Sequence, residues 1–112
     1  MSSITPVKAS DRRVAPRVAH NFDAVSTGHG GNRPVRVGDL SVTGCFVETI
    51  EPNAKGTRVT LRVAIPDWGP LELTGEVMYS SPPIGYGVRF VDVPPASALI
   101  LQATVETLSK RG

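Results

Sequence analysis

Polar and apolar residues alternate with a period of two along most of this chain. The clearest run is TRVTLRVAI at 57–65, where Val59, Leu61, Val63 and Ile65 fall on one side and Arg58, Thr60 and Arg62 on the other. That is the pattern of a strand with one face buried. RVAHNFDAV, from Arg17, places Val18, His20, Phe22 and Ala24 on one face and Ala19, Asn21 and Asp23 on the other, and predicts a second strand. Further runs at 33–38, 44–50, 71–80 and 85–91 are rich in Val, Leu, Tyr and Phe, and are separated by EPNAKG, PDWGP and SPPIG. These separators carry the residues that make turns. Six short strands at this spacing predict a closed or nearly closed small barrel over about residues 17–91.

The period changes at the end of the chain. After Pro94 and Pro95, which suit the first turn of a helix, Ala98, Leu101, Val105 and Leu108 recur at helical spacing. A helix over about 95–109 follows, with Lys110 and Arg111 complementing its C-terminus. The opening ten residues, MSSITPVKAS, show no period and are expected to be a flexible segment ahead of a single domain at 11–112. STGHGGNRP, between the first two strands, is glycine-rich and is expected to be a mobile loop.

Composition narrows the function. A chain of 112 residues with 40% hydrophobic content holds one packed domain. Its longest late apolar run, Ala98–Leu101, falls far short of a span, so no membrane insertion is expected. Residues 1–20 lack a signal-peptide core, and the lone cysteine, Cys45, has no disulfide partner, which together point to the cytoplasm. Cys45 sits in a strand pattern and reads as packing.

The net charge of +2 conceals an asymmetry. Residues 1–38 hold Lys8, Arg12, Arg13, Arg17, Arg33 and Arg36 against Asp11 and Asp23, a local +4, which leaves the remainder at −2. A localised basic region suits a small polyanion better than long nucleic acid, which favours a continuous basic surface. The six aromatics, unclustered, are poor material for a base-stacking platform, so no DNA or RNA partner is expected. A small barrel binding single-stranded nucleic acid is the weakest of the three readings considered.

Catalytic sets are sparse. His20 and His29 have no second cysteine and no local acidic cluster, which falls short of a metal-ligand pattern. No Walker A or dinucleotide-binding glycine loop occurs. The chain reads as a binder and not an enzyme, with no cofactor.

Two short motifs carry the remaining chemistry. SDRRVAPRV packs Arg12, Arg13 and Arg17 into six positions, and DLSVTG, Asp39-x-Ser41-x-x-Gly44, joins one predicted strand to the next. The Arg-x-x-x-Arg spacing alone is uninformative, because nine arginines produce it about once by chance and Arg58–Arg62 repeats it. With Asp or Asn allowed at its first position, the Asp-x-Ser-x-x-Gly pattern has a chance expectation of roughly 0.06 per chain. It has a structural reading: Asp and Ser make turns through their own side chains, and Gly supplies a positive φ. It also has a binding one, in which a carboxylate accepts from a purine N–H edge, a hydroxyl donates or accepts, and glycine allows close approach.

In that order and spacing, Arg13-x-x-x-Arg17 followed by Asp39-x-Ser41-x-x-Gly44 resembles the paired signature of the PilZ domain, a bacterial receptor module for cyclic di-GMP. GYGVRF at 85–90 is similar to that family's penultimate strand motif. The likeness runs over roughly residues 11–108. It implies an all-β fold with a terminal helix, namely a six-stranded antiparallel barrel plus a C-terminal helix. It also implies a stand-alone receptor that binds cyclic di-GMP through Arg12, Arg13, Arg17, Asp39, Ser41 and Gly44 and signals by contact with an effector protein. A PilZ-like adaptor without nucleotide affinity is the alternative.

Overall fold

In the computed structural model, residues 20–28, 31–51 and 53–111 are described. Six strands and one helix follow in the predicted order: β1 Phe22–Gly28, β2 Gly31–Gly38, β3 Gly44–Glu48, β4 Arg58–Ile65, β5 Gly69–Ser81, β6 Gly85–Phe90 and α1 Pro95–Arg111. All neighbouring strands are antiparallel, and the sheet closes on itself in the order β1-β2-β3-β6-β5-β4. Closure leaves no continuous edge to recruit another chain.

The alternation seen in the sequence is what fills the barrel. Val59, Leu61, Val63 and Ile65 of β4 are all buried while Arg58, Arg62 and Ala64 are exposed. The same inward set continues through Leu71, Leu73 and Val77 of β5 and Tyr86, Val88 and Phe90 of β6. Successive side chains on a strand point to opposite faces, so one set lines the lumen.

Two expectations are corrected. Most of STGHGGNRP is strand and not loop: Ser26, Thr27 and Gly28 pair with Arg33, Asn32 and Gly31 in the β1–β2 hairpin, while His29 and Gly30 lie outside the described residues. A ladder needs only backbone donors and acceptors, which glycine supplies as well as any residue. Pro34 is tolerated because β2 pairs with β3 only from Arg36 onward, leaving the proline on an unpaired stretch of that side. His20 is not a core-facing strand residue. It is exposed, ahead of β1, with its ring edge-on to Phe22 at a centroid distance of 4.7 Å. Residues 17–19, the predicted start of that strand, lie outside the described residues.

Connections alternate between the two ends of the barrel. The β1–β2 hairpin, the 49–57 connection and the β5–β6 turn lie at one end, here the hairpin end. The entry into β1, the 39–43 turn, the β4–β5 turn and the exit from β6 lie at the other. α1 leaves from that second end, and its Leu101 and Val105, with exposures of 0% and 2%, join the same core cluster as Leu40 and Val37. The helix thus closes the barrel there.

Candidate ligand-binding site

Asp39, Ser41 and Gly44 come together at the helix end, in the turn that links β2 to β3. The turn is pinned from within. Leu40 is fully buried, which orients its neighbours. Ser41 is 5% exposed, and its Oγ accepts from the backbone N–H of Thr43 and of Gly44, both at 3.2 Å. The Ser41 N–H donates to the Gly44 carbonyl at 2.9 Å, and Ser41 Oγ lies 3.0 Å from Thr43 Oγ1. The serine hydroxyl is therefore first of all the organiser of this turn.

Gly44 has a different job from the one its spacing suggests. The left-handed position is taken by Asp39, with φ 48°, and not by the glycine. Asp tolerates that region because its short polar side chain can bond locally. A Cβ on Gly44 would lie 2.2 Å from the Val88 carbonyl oxygen, so glycine is needed for β3 to approach β6. Asp39 itself is exposed, free to present its carboxylate.

Beside the turn lies a cleft of about 230 Å³, lined by Asp39, Ser41, Thr43, Phe46, Tyr79 and Arg89 among others. Phe46 and Tyr79 sit with ring centroids 6.2 Å apart and planes inclined by 31°. Tyr79 lies over Gly87, where a Cβ would come within 2.3 Å of the ring. A bulge between Val77 and Tyr79 shifts the register of β5 against β6 and leaves Met78 and Tyr79 exposed. Arg89 pairs loosely with Glu76 at 3.9 Å and keeps a largely exposed side chain. The alternating glycines of GYGVRF mark the strand, but Phe46, Tyr79 and Arg89 as cleft residues were missed in the sequence. The only signal for them was glycine on the outward face of a strand, a seat for an aromatic from the next strand.

Cys45 also borders this cleft but faces the core at 8% exposure, and burial pushes its thiol up to about 12. It stays protonated at neutral pH, the state of a buried packing cysteine. Among the described residues, no three His, Cys, Asp or Glu side chains gather to hold a metal ion. Among the described residues, no helix is long and apolar enough to cross a membrane.

Arg12, Arg13 and Arg17 lie outside the described residues. What is described is where the chain enters the barrel. Phe22 pairs with Val37, and Asn21 sits against Gly38, whose Cβ would be 3.0 Å from Asn21 Oδ1. The entry therefore runs alongside the residue that precedes Asp39.

The profile of the PilZ domain matches residues 11–107 of this chain. No curated protein matches it. Among solved structures, the chain is similar to the PilZ domain with c-di-GMP of YcgR from Escherichia coli, with TM-score 0.74 and 19% identity over 90% of this chain and 94% of that one. It is similar to YcgR in complex with c-di-GMP from Escherichia coli, at TM-score 0.75 and 20% identity over 89% of this chain and 47% of that one. It is also similar to the Bacillus subtilis inhibitor of motility MotI/DgrA, at TM-score 0.72 and 13% identity over 91% of this chain and 51% of that one. This chain spans about half the length of the latter two. Identities this low speak for the fold, whereas the sequence profile covers most of the chain. This closed six-stranded barrel with its C-terminal helix belongs to the PilZ domain family.

Proposed function

We propose that this chain is a cyclic di-GMP receptor that relays the nucleotide signal through contact with another protein in the cytoplasm. The observation that carries the reading is the position of the Asp39–Gly44 turn. It stands at the end of the barrel where the arginine-bearing segment enters, next to a cleft with an aromatic side. Arg17 is four residues before Asn21, so its backbone lies within about 14 Å of it.

Each residue then has a task set by its chemistry. The planar guanidinium of Arg13 or Arg17 takes a guanine's O6 and N7 in a bidentate pair, or grips a phosphate, without losing its charge. Arg12 adds a third cation for the phosphates. Asp39 accepts from the guanine N–H edge. Ser41 holds the turn, so that Asp39 is presented in one geometry. Phe46 and Tyr79 offer apolar surface on which a purine stacks, a contact worth about 1–3 kcal/mol per base elsewhere. Nothing in the cleft calls for cleavage of the ligand, and the reading is of a receptor that releases it unchanged. The PilZ profile and the likeness to c-di-GMP-bound YcgR support it.

Calorimetric titration with cyclic di-GMP tests the proposal. Saturable binding that weakens with rising salt is expected, because arginine–phosphate contacts are screened. Absence of heat up to hundreds of micromolar ligand would overturn it and leave the adaptor without nucleotide affinity as the reading. Linear dinucleotide in the recovered ligand would overturn the receptor-only part.

A further inference from the structure

The hairpin end of the barrel, opposite the turn, carries a second cleft of about 230 Å³. Arg33, Glu51, Thr57 and Arg58 stand at its rim, Val35 and Val59 form apolar wall, and Tyr86 and Ser26 lie deeper. Tyr86 reaches inward from β6 and Ser26 belongs to β1, strands that are not neighbours in the sheet, so the tyrosine side chain crosses the lumen. At 2% exposure it floors the cleft, yet the one contact of its hydroxyl among the described residues is Ser26 Oγ at 3.5 Å. Ordinary hydroxyl hydrogen bonds are near 2.7–2.8 Å. A buried hydroxyl is thus left with donating capacity and a cleft to donate into.

Charge at the rim selects what enters. Arg33 is bound to Glu51, while Arg58 has no ion-pair partner among the described residues, because Glu76, opposite it in the ladder, pairs with Arg89. Among the described residues the rim therefore has one cation without an ion pair, with Glu51 set against a second negative charge on the ligand. We infer that this cleft is a binding site for a small monoanionic carboxylate, its oxygens held by the Arg58 guanidinium and the Tyr86 hydroxyl and its short apolar stem against Val35 and Val59. The volume lies below the usual range for drug-sized ligands, so it suits a molecule of a few carbons or a single acidic side chain. This inference does not depend on cyclic di-GMP binding, since the two clefts share no lining residue.

The test is an NMR titration of the whole protein at neutral pH and constant ionic strength with propionate, inorganic phosphate and chloride. Propionate should shift the Tyr86 and Ser26 amides and the Arg58 side-chain N–H saturably, with Kd in the millimolar range, and phosphate and chloride should not. Tyr86→Phe and Arg58→Gln should each weaken binding by about five-fold or more while keeping a dispersed, native spectrum. A capped glutamate presents the same carboxylate on a peptide backbone: tighter binding than propionate assigns the source to an acidic protein side chain, weaker binding to a free acid, and either supports the site. Unsaturable shifts, equal shifts with chloride or phosphate, or wild-type affinity in both variants would overturn it.

Discussion

Ser41 and Asp39 are two positions apart, yet their substitutions should fail in different ways. Ser41 is buried, with two backbone N–H groups on its Oγ. Ser41→Ala strips both of that acceptor and should lower unfolding free energy by about 1–3 kcal/mol. Asp39→Asn keeps a side chain that accepts the left-handed backbone and removes only the charge. It should leave urea unfolding unchanged and weaken cyclic di-GMP binding by about 1.5–3 kcal/mol. If Asp39→Asn binds normally by calorimetry, the carboxylate does not touch the ligand. Gly44→Ala drives a methyl into the Val88 carbonyl and should destabilise by about 1–3 kcal/mol even without ligand.

Cys45 makes a separate prediction at the same scale. Its thiol is raised from 9.0 to about 12 by burial, so the folded protein holds a proton that the unfolded chain releases above pH 9.0. The contribution is fully present below that value and is lost as pH rises toward about 12, at about 1.4 kcal/mol per pH unit. Unfolding curves from pH 9 to pH 11 for the wild type and Cys45→Ala isolate it from other titrating groups: the variant should show the shallower decline. A thiol reagent should label Cys45 only after denaturation.

At the scale of elements, the arginine-bearing segment and β4 form a matched comparison, because both carry Arg-x-x-x-Arg. Arg62 is exposed on β4, opposite Glu72, away from both clefts. Arg13→Ala and Arg17→Ala should each cost about 2–4 kcal/mol of cyclic di-GMP affinity, as for a lost charged or bidentate contact. Arg62→Ala should cost well under about 1 kcal/mol, since it removes only distant, screened charge. Equal losses across the three would reduce the segment to a basic tail. For the helix, Leu101 is fully buried in the shared core, so Leu101→Ala should lower stability by about 2–5 kcal/mol and loosen α1 first. Hydrogen exchange along α1 checks that order.

At the scale of the whole molecule, the barrel separates two chemistries. One end joins the chain entry, the Asp39–Gly44 turn and the helix, and the other opens on the cleft floored by Tyr86. The two clefts share no lining residue, although Tyr86 of one and Gly87 of the other are consecutive on β6. Trp68, 60% exposed, borders a shallow groove with Ala103, Thr107 and Leu108 of α1. It sits in the β4–β5 turn at the helix end, a surface residue beside α1.

Which parts of this were visible in the chain itself follows from what each depends on. Strand faces depend on a local period of two, so Val59, Leu61, Val63 and Ile65 could be read as core directly, and α1 declared itself by its change of period. The motif Asp39-x-Ser41-x-x-Gly44 was equally local, and with the arginines it was enough to point to the family. The strand pairing within STGHGGNRP was not legible, because its glycines and polar residues carry no alternation of apolar and polar faces although their backbones pair. Nor could the chain reveal that Gly44 serves a close approach to Val88, that Tyr79 rests on Gly87 beside Phe46, or that Tyr86 meets Ser26 across the lumen. Those relations join residues up to 60 positions apart and exist only once closure of the sheet sets the register. Local alternation determined which side chains face inward; the closed barrel decided which of them meet.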